Sequence, residues 1–501
     1  MIEHGVTAWH AAGAPVTPEW VKDAIFYQIF PDRFAQSDRV PKPNFLEPWG
    51  APPTYDGFKG GDLVGVAERL DYIQDLGVTA VYFTPVFQST ANHRYHTYDY
   101  YNVDPILGGN AALRLLLDEA HRRGMRIVLD GVFNHASRGF FQFNHILENG
   151  GQSPYIDWFT VLDWPLHPYD PVKPPNYACW FDLPALPKFN TDTPAVREFL
   201  WGVGQYWVDY GIDGWRLDVP NEIDDDEFWH EFRRRVKGAN PDAYIVGEIW
   251  HDARRWLQGN QFDAVMNYLF TQLCIGFFIG SRVDETLVMG TGLHPAPRLD
   301  AAGFARGVRD LLALYHPQVT AAQLNLLDSH DTARFLTTAR GDTSALRLAT
   351  LFQMTYPGAP SIFYGDEVGK PGGKDPDSRR TMMWDDPSWW EGDLYPFFKR
   401  ATALRHAHPA LRRGSFDSLY AQGMVFSYGR RLAREGQPVD HLVVALNGGR
   451  ATRVVAIDMA GYLPDGTVLK DVWGGSSHLV EAGALHLRLA PRSGVVLEVT
   501  A

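Results

Sequence analysis

The chain has 501 residues, 45% hydrophobic and 21% charged, which is the composition of a globular protein too long for one ordinary core. Its formal net charge of −13 repels phosphate backbones and anionic membrane surfaces, so nucleic acid and membranes are excluded as expected partners. Only two cysteines occur, Cys179 and Cys274; a disulfide framework is thereby excluded as the main stabiliser, and a cytoplasmic setting is expected.

The opening MIEHGVTAWHAAGAP lacks the basic start and apolar core of a signal peptide, so residues 1–22 read as an N-terminal extension. No later apolar run reaches the length of a membrane span. Short β-branched and aromatic runs predict strands at 25–30, 80–83, 126–129, 214–218, 244–247, 264–267, 324–327 and 361–364. Helical periodicity fills many of the gaps, at 111–123, 196–210 and 227–237. Eight strands alternating with helices, with no Gly-rich dinucleotide turn after the first, predict an α/β fold of the (β/α)8 TIM-barrel type. Residues 136–187 break the alternation and read as an inserted domain after strand 3. The barrel then comprises 23–135 and 188–410. From 411 to 501 short alternating runs predict a C-terminal all-β sandwich domain.

Polar residues follow the apolar runs at Asp130, Asp218, Glu248, Asp328 and Asp366. In a parallel barrel such ends share the face where active sites form. Helix capping explains any one of them, but five together fit a site better. In Gly214-Trp215-Arg216-Leu217-Asp218, strand alternation puts Arg216 and Asp218 on one side, where a guanidinium favours an ionised, nucleophilic carboxylate. Glu248 closes the next strand and suits a proton donor for a leaving oxygen, given anionic neighbours and an aromatic wall. Asp331, with His330, suits stabilisation of developing positive charge, and Asn134 and His135 overhang the barrel mouth. Histidines at two strand ends leave a metal site open as an alternative.

The blocks DGVFNH, GWRLDV, GEIW and LLDSHD, in that order on strands 3, 4, 5 and 7, resemble the α-amylase superfamily, glycoside hydrolase family 13. The similarity runs from about Asp23 to the C-terminus and implies the same barrel, a domain B after strand 3 and a β-sandwich domain C. It implies a retaining α-glucan hydrolase with Asp218 as nucleophile, Glu248 as acid/base and Asp331 as transition-state stabiliser. It further places Arg216, His135, His330 and Tyr95 around the bound sugar, with Asp375 and Arg379 closing the far side. Leu186-Pro187-Lys188-Phe189-Asn190 is similar to the MPKLN marker of neopullulanases, cyclomaltodextrinases and maltogenic amylases; the Asn221-Glu222 pair and the stretch holding His251 match that subgroup too. The extra N-terminal β domain usual in that subgroup is expected to be missing, which leaves oligomeric state open.

No cofactor is expected for the chemistry. Asn221-Glu222 replaces the Lys-His of calcium-binding amylases, while a second Ca2+ site of some relatives, built from loops at 36–38 and 60–62, would use Asp38 and Asp62. The expected partner is an oligo- or polysaccharide: maltooligosaccharide, cyclodextrin, pullulan or starch, cut at α-1,4 and in some cases α-1,6 bonds. A glucan-rearranging transglycosylase and a non-catalytic sugar-binding barrel are the alternatives.

Overall fold

A computed structural model of the chain describes residues 14–386, 388, 390, 392–436 and 438–500. Of the expected N-terminal extension, residues 1–13 therefore lie outside the described residues. Eight parallel strands form one sheet: β1 Phe26–Ile29, β2 Ala80–Phe83, β3 Arg126–Gly131, β4 Gly214–Leu217, β5 Tyr244–Gly247, β6 Ala264–Val265, β7 Leu324–Leu326 and β8 Ala359–Phe363. Their neighbour order, β6-β5-β4-β3-β2-β1-β8-β7, is the cyclic order of a (β/α)8 barrel. Just past β6, the Asn267 N–H donates to the Leu324 carbonyl that opens β7, at 2.8 Å.

The chain divides into two compact units, one built on Phe26–Met266 and the other on Asn267–Ser378 with Trp384–Ala501. In the first, α1 Gly109–Arg122, α2 Pro194–Tyr210 and α3 Asp226–Ala239 cover the strands. Each buries one stripe: Leu113, Leu116 and Leu117 on α1, Val203 and Trp207 on α2, Phe228 and Phe232 on α3. Asp225 caps α3 by accepting from Phe228 N–H, and α2 opens on Pro194, whose missing N–H is harmless at a helix start.

Domain B follows β3. It contains a helix at Phe141–Asn149, which the weak periodicity of the segment did not reveal, and otherwise short turns joined by isolated antiparallel bridges. Packed rings of Phe140, Phe143, Phe159, Tyr177 and Phe189 hold it together, so aromatic contacts do the work of regular secondary structure.

In the second unit, α4 Ala301–Leu314, α5 Thr343–Thr355 and α6 Leu394–Ala407 accompany β7 and β8. The C-terminal domain is an eight-stranded antiparallel sheet: β9 Asp417–Gln422, β10 Val425–Leu432, β11 Asp440–Asn447, β12 Arg453–Asp458, β13 Val468–Asp471, β14 Ser477–Glu481, β15 Ala484–Leu489 and β16 Ser493–Thr500, ordered β9-β10-β11-β16-β13-β14-β15-β12. Alternate residues such as Val443, Ala445, Ile457, Leu485 and Leu487 form its core.

Several strand ends differ from expectation by one or two residues, and two of them have clear local reasons. The sixth strand stops at Val265 because Asn267 begins a helix, its side chain accepting from Phe270 N–H at 3.2 Å. The eighth begins at Ala359, two residues early: Ala359 N–H donates to Gln323 at 2.8 Å, and Pro360 sits where it loses no needed donor.

Candidate active site

The register of β3, β4 and β5 builds the centre. Gly131 lies beside Leu217, and Leu217 beside Gly247. Asp218 and Glu248 are the next residues on their strands, and the ladder continues one step: Asp218 N–H donates to Gly131 at 3.0 Å, Glu248 N–H to Leu217 at 2.9 Å. Strands in register point equivalent side chains the same way, so the two carboxylates emerge side by side.

One guanidinium joins them. Arg216, fully buried, donates from Nη1 to Asp218 Oδ1 at 3.0 Å and to Asp130 at 2.8 and 3.0 Å. Its Nη2 stands 2.8 Å from Glu248 Oε2, a charge contact without the alignment of a hydrogen bond. Guanidinium nitrogens are about 2.3 Å apart, so these Asp218 and Glu248 oxygens are less than about 8 Å from each other. Glu248 Oε2 also accepts from Val219 N–H at 3.2 Å, and Oε1 from Trp250 Nε1 at 3.2 Å. Glu248 thus has the expected anionic neighbours, Asp130 and Asp218, and in addition a cation that was not expected, because Arg216 reaches past its own strand. The aromatic wall is Trp250.

Beneath this trio Asp130 accepts from Tyr95 OH at 2.9 Å and Tyr82 OH at 3.0 Å. Burial pushes its carboxyl up to about 6, against the pull of Arg216. Tyr95 is fixed by the buried, left-handed Arg94, whose guanidinium pairs with Asp104 at 3.2 Å. His135 is buried, contacts Asn134 at 3.2 Å and stacks on Trp180, ring centroids 5.2 Å apart. Burial, then the neighbouring His96, pushes its imidazole down to about 3, so it is neutral.

In the second unit, His330 is buried with Nε2 3.2 Å from Asp331 Oδ2, and Asp331 N–H donates to Ser329 Oγ at 3.2 Å. Asp328 and Asp366, expected among the strand-end acids of the site, instead form a buried carboxyl couple with Arg334, which donates to Asp366 at 2.8 Å. Asp328 also accepts from the Phe335 N–H that opens the short helix Phe335–Thr338, a structural role.

The profile of the alpha-amylase catalytic domain matches residues 28–389. The chain belongs to the α-amylase family. Over 494 residues it is 44% identical to neopullulanase 2 of Thermoactinomyces vulgaris, covering 97% of this chain and 80% of that one. A cyclomaltodextrinase of a Bacillus species is 47% identical over 438 residues, 87% of this chain and 74% of the relative. The solved debranching enzyme of Nostoc punctiforme, in its native form, is 48% identical with a TM-score of 0.88, covering 97% of this chain and 100% of that one. As a member of the α-amylase family, the protein is a glycoside hydrolase.

Other residues singled out in the sequence occupy varied settings in this α-amylase fold. Asn221 and Glu222 lie on the turn Pro220–Glu222, and Glu222 meets Lys188 of the LPKFN run at 3.5 Å, so two subgroup marks touch. His251 is exposed and faces the Asp252 carbonyl at 3.1 Å. Arg379 lies over the Phe30 ring at 5.4 Å, while Asp375, partly buried, belongs to the second unit. At the expected calcium loops, Asp38 is exposed, and the Lys42 ammonium donates to the Gly60 carbonyl at 2.7 Å and to the buried Asp62 carboxylate. A lysine therefore holds the oxygens that a cation there would use. Asp62 also accepts from Ser37 and Gly65 N–H groups at 2.8 and 2.7 Å. Among the described residues, no group of three or more His, Cys, Asp and Glu side chains is arranged to hold a metal. No helix among them is long and apolar enough to cross a membrane.

Reasoning from sequence missed Tyr82, Val219, Trp180 and Trp250. Alternation along Ala80–Phe83 could have found Tyr82, which points the same way as its register partners Gln28 and Val128. Nothing in the sequence marks Val219, whose backbone is left-handed at φ 35° despite a branched side chain.

Proposed function

We propose that this enzyme hydrolyses α-1,4-glucosidic bonds of short and cyclic glucans, and α-1,6 bonds at branch points, by double displacement. The observation that carries the reading is Arg216, one guanidinium in contact with both Asp218 and Glu248. Glu248 gives its proton to the glycosidic oxygen while Asp218 attacks the anomeric carbon; the C–O bond breaks and a covalent glycosyl-enzyme forms. Glu248 then takes a proton from water, the water oxygen replaces Asp218 at the same carbon, and the product keeps its α configuration. Arg216 stabilises the Asp218 anion before attack and after release. Asp331, with His330, stabilises the positive charge on the sugar ring, and Tyr95, Asn134, His135, Asn221, Glu222, His251, Asp375 and Arg379 bind its hydroxyls and faces.

The substrate range is supported by the names of the relatives, which cover neopullulanase, cyclomaltodextrinase and debranching activities. The chemistry proposed uses no cofactor and no calcium. A cytoplasmic setting accompanies it, supported by the free thiols of Cys179 and Cys274. Chromatography of products from cyclodextrin, pullulan and maltotriose, with NMR of the first-formed anomer, tests the reading. Net release of reducing ends in the α configuration is expected. Redistribution of chain lengths without new reducing ends, or β-configured products, would reject it.

A further inference from the structure

In a chain of net charge −13, arginines converge on two adjoining cavities of the second unit. One, of about 590 Å³, is lined by Arg282, Arg298, Arg450 and Arg492. The other, of about 410 Å³, shares Arg282, Arg450 and Arg492 and adds Arg340. Arg492 pairs with Asp342 at 3.2 Å, and Arg340 approaches Asp284 at 3.8 Å. Arg282, Arg298 and Arg450 are exposed and have no carboxylate in ion-pair range among the described residues. Arginines scattered over a surface are ordinarily solvated and mean little. Here they line one concavity, and a guanidinium cannot lose its proton to relieve the repulsion.

The fold holds this cluster in place. Arg492, directly before β16, has a left-handed backbone at φ 51°, and its guanidinium is tied on every side. Nη1 donates to the Phe278 and Gly448 carbonyls at 2.8 and 3.0 Å, while Nε donates to Ser344 Oγ and Nη2 to Asp342, both at 3.2 Å. Its backbone N–H donates to Gly449 at 2.8 Å, which fixes the turn carrying Arg450. Arg340, left-handed at φ 55°, donates from Nε to the Arg282 carbonyl at 3.2 Å and so holds these two residues together. Burial lowers the Arg492 pKa against the pull of Asp342, and the nearby Arg450 and Arg282 lower it further. A pinned cation thus lies beside three others whose guanidinium groups donate to nothing among the described residues. Phe277, Leu299 and Met424 give the larger cavity an apolar side, and Gly448 and Gly449 add backbone without side chains.

We propose that this cleft binds a small organic phosphate with at least two phosphate groups, its oxygens held by Arg282, Arg298 and Arg450 and its carbon skeleton against Phe277 and Met424. The proposal is independent of the α-glucan reading. Guanidinium forks match phosphate oxygens bidentately and stay charged at any working pH. A single carboxylate leaves most of the cluster unpaired. A long polyanion is disfavoured, because the chain as a whole is acidic and the cavities have the volume of a metabolite site. The ligand bridges the turn after β11 and the turn before α5, so it fastens the C-terminal sheet to α5.

Calorimetry and thermal melts of the full chain at constant ionic strength compare fructose bisphosphate, ATP and pyrophosphate. Fructose bisphosphate or ATP is expected to bind about tenfold tighter than pyrophosphate, through the apolar side, and to raise the melting temperature by about 3 °C at saturation. The tighter of the two tells a sugar source from a nucleotide source. R282A and R450A change exposed side chains, so unliganded melting temperatures near wild type are expected. Each is expected to weaken the tighter ligand about tenfold, the size of one lost charge-assisted contact. R309A removes an exposed arginine of α4 outside both cavities and is expected to leave affinity unchanged. Organic phosphates that bind no tighter than pyrophosphate, full affinity in R282A and R450A, or an equal loss in R309A would each overturn the site.

Discussion

Val219 donates its N–H to Glu248 at 3.2 Å from a left-handed backbone, φ 35° and ψ 50°. A branched residue in that region is strained by about 1–3 kcal/mol. The turn directly follows Asp218, so one strained peptide links the two carboxylates proposed to do the chemistry. Replacing Val219 with glycine removes the strain but frees the backbone. Stability within about 1 kcal/mol of wild type is expected, since relief of strain and added unfolded-state entropy oppose each other. Turnover is expected to fall about tenfold as Glu248 loses its fixed donor. Thermal melts and kcat measured together check this; unchanged kcat would show that the turn is only a connection.

The proposed roles of Asp218 and Glu248 are tested by D218N and E248Q. Each is near-isosteric, so the fold should persist by circular dichroism. Rates on a nitrophenyl maltoside are expected to drop about 1,000-fold or more, because the nucleophile or the proton donor is gone. Near-normal turnover in either variant would reject that residue's role.

Arg216 compensates three buried carboxylates, Asp130, Asp218 and Glu248. Lysine presents a point charge and cannot span all three. R216K is expected to lose about 3–5 kcal/mol in urea unfolding, the cost of leaving buried charge unpaired. A midpoint equal to wild type would mean that the carboxylates tolerate one another.

His135 gives a pH signature. Its imidazole is held from 6.5 down to about 3 by burial and by His96. Below pH 6.5 the unfolded chain binds a proton there and the folded one does not until about pH 3. Stability therefore rises with pH across this window and is lost on acidification. Melting temperature is expected to fall more steeply between about pH 6.5 and pH 4 in wild type than in H135Q. Parallel slopes would contradict the assignment.

Lys42 predicts the response to chelators. Since its ammonium holds Gly60 and Asp62, EDTA should leave the melting temperature unaltered. Lys42→Met leaves the fully buried Asp62 side chain without its cation. Because Lys42 is partly exposed, the expected loss is only about 1–3 kcal/mol. A melting temperature that drops with chelator would place a metal in this loop after all.

The sequence by itself determined the alternation of strands and helices, the insertion after the third strand and the all-β end. Those features rest on local periodicity and on four short blocks whose order is specific. It also marked Asp218, Glu248 and Arg216, because alternation along a strand is a property of neighbours. The tertiary structure alone decided that Arg216 reaches Asp130, 86 positions away, and Glu248 on the next strand. It alone revealed that Lys42 reaches Asp62, that Asp328 and Asp366 form a couple with Arg334, and that Trp180 stacks on His135. Parallel pairing joins segments remote in the chain, and its register is set by packing against helices that no local pattern encodes. The left-handed turns at Val219 and Phe181 are paid for by that same long-range packing, so neither residue announces itself in the sequence.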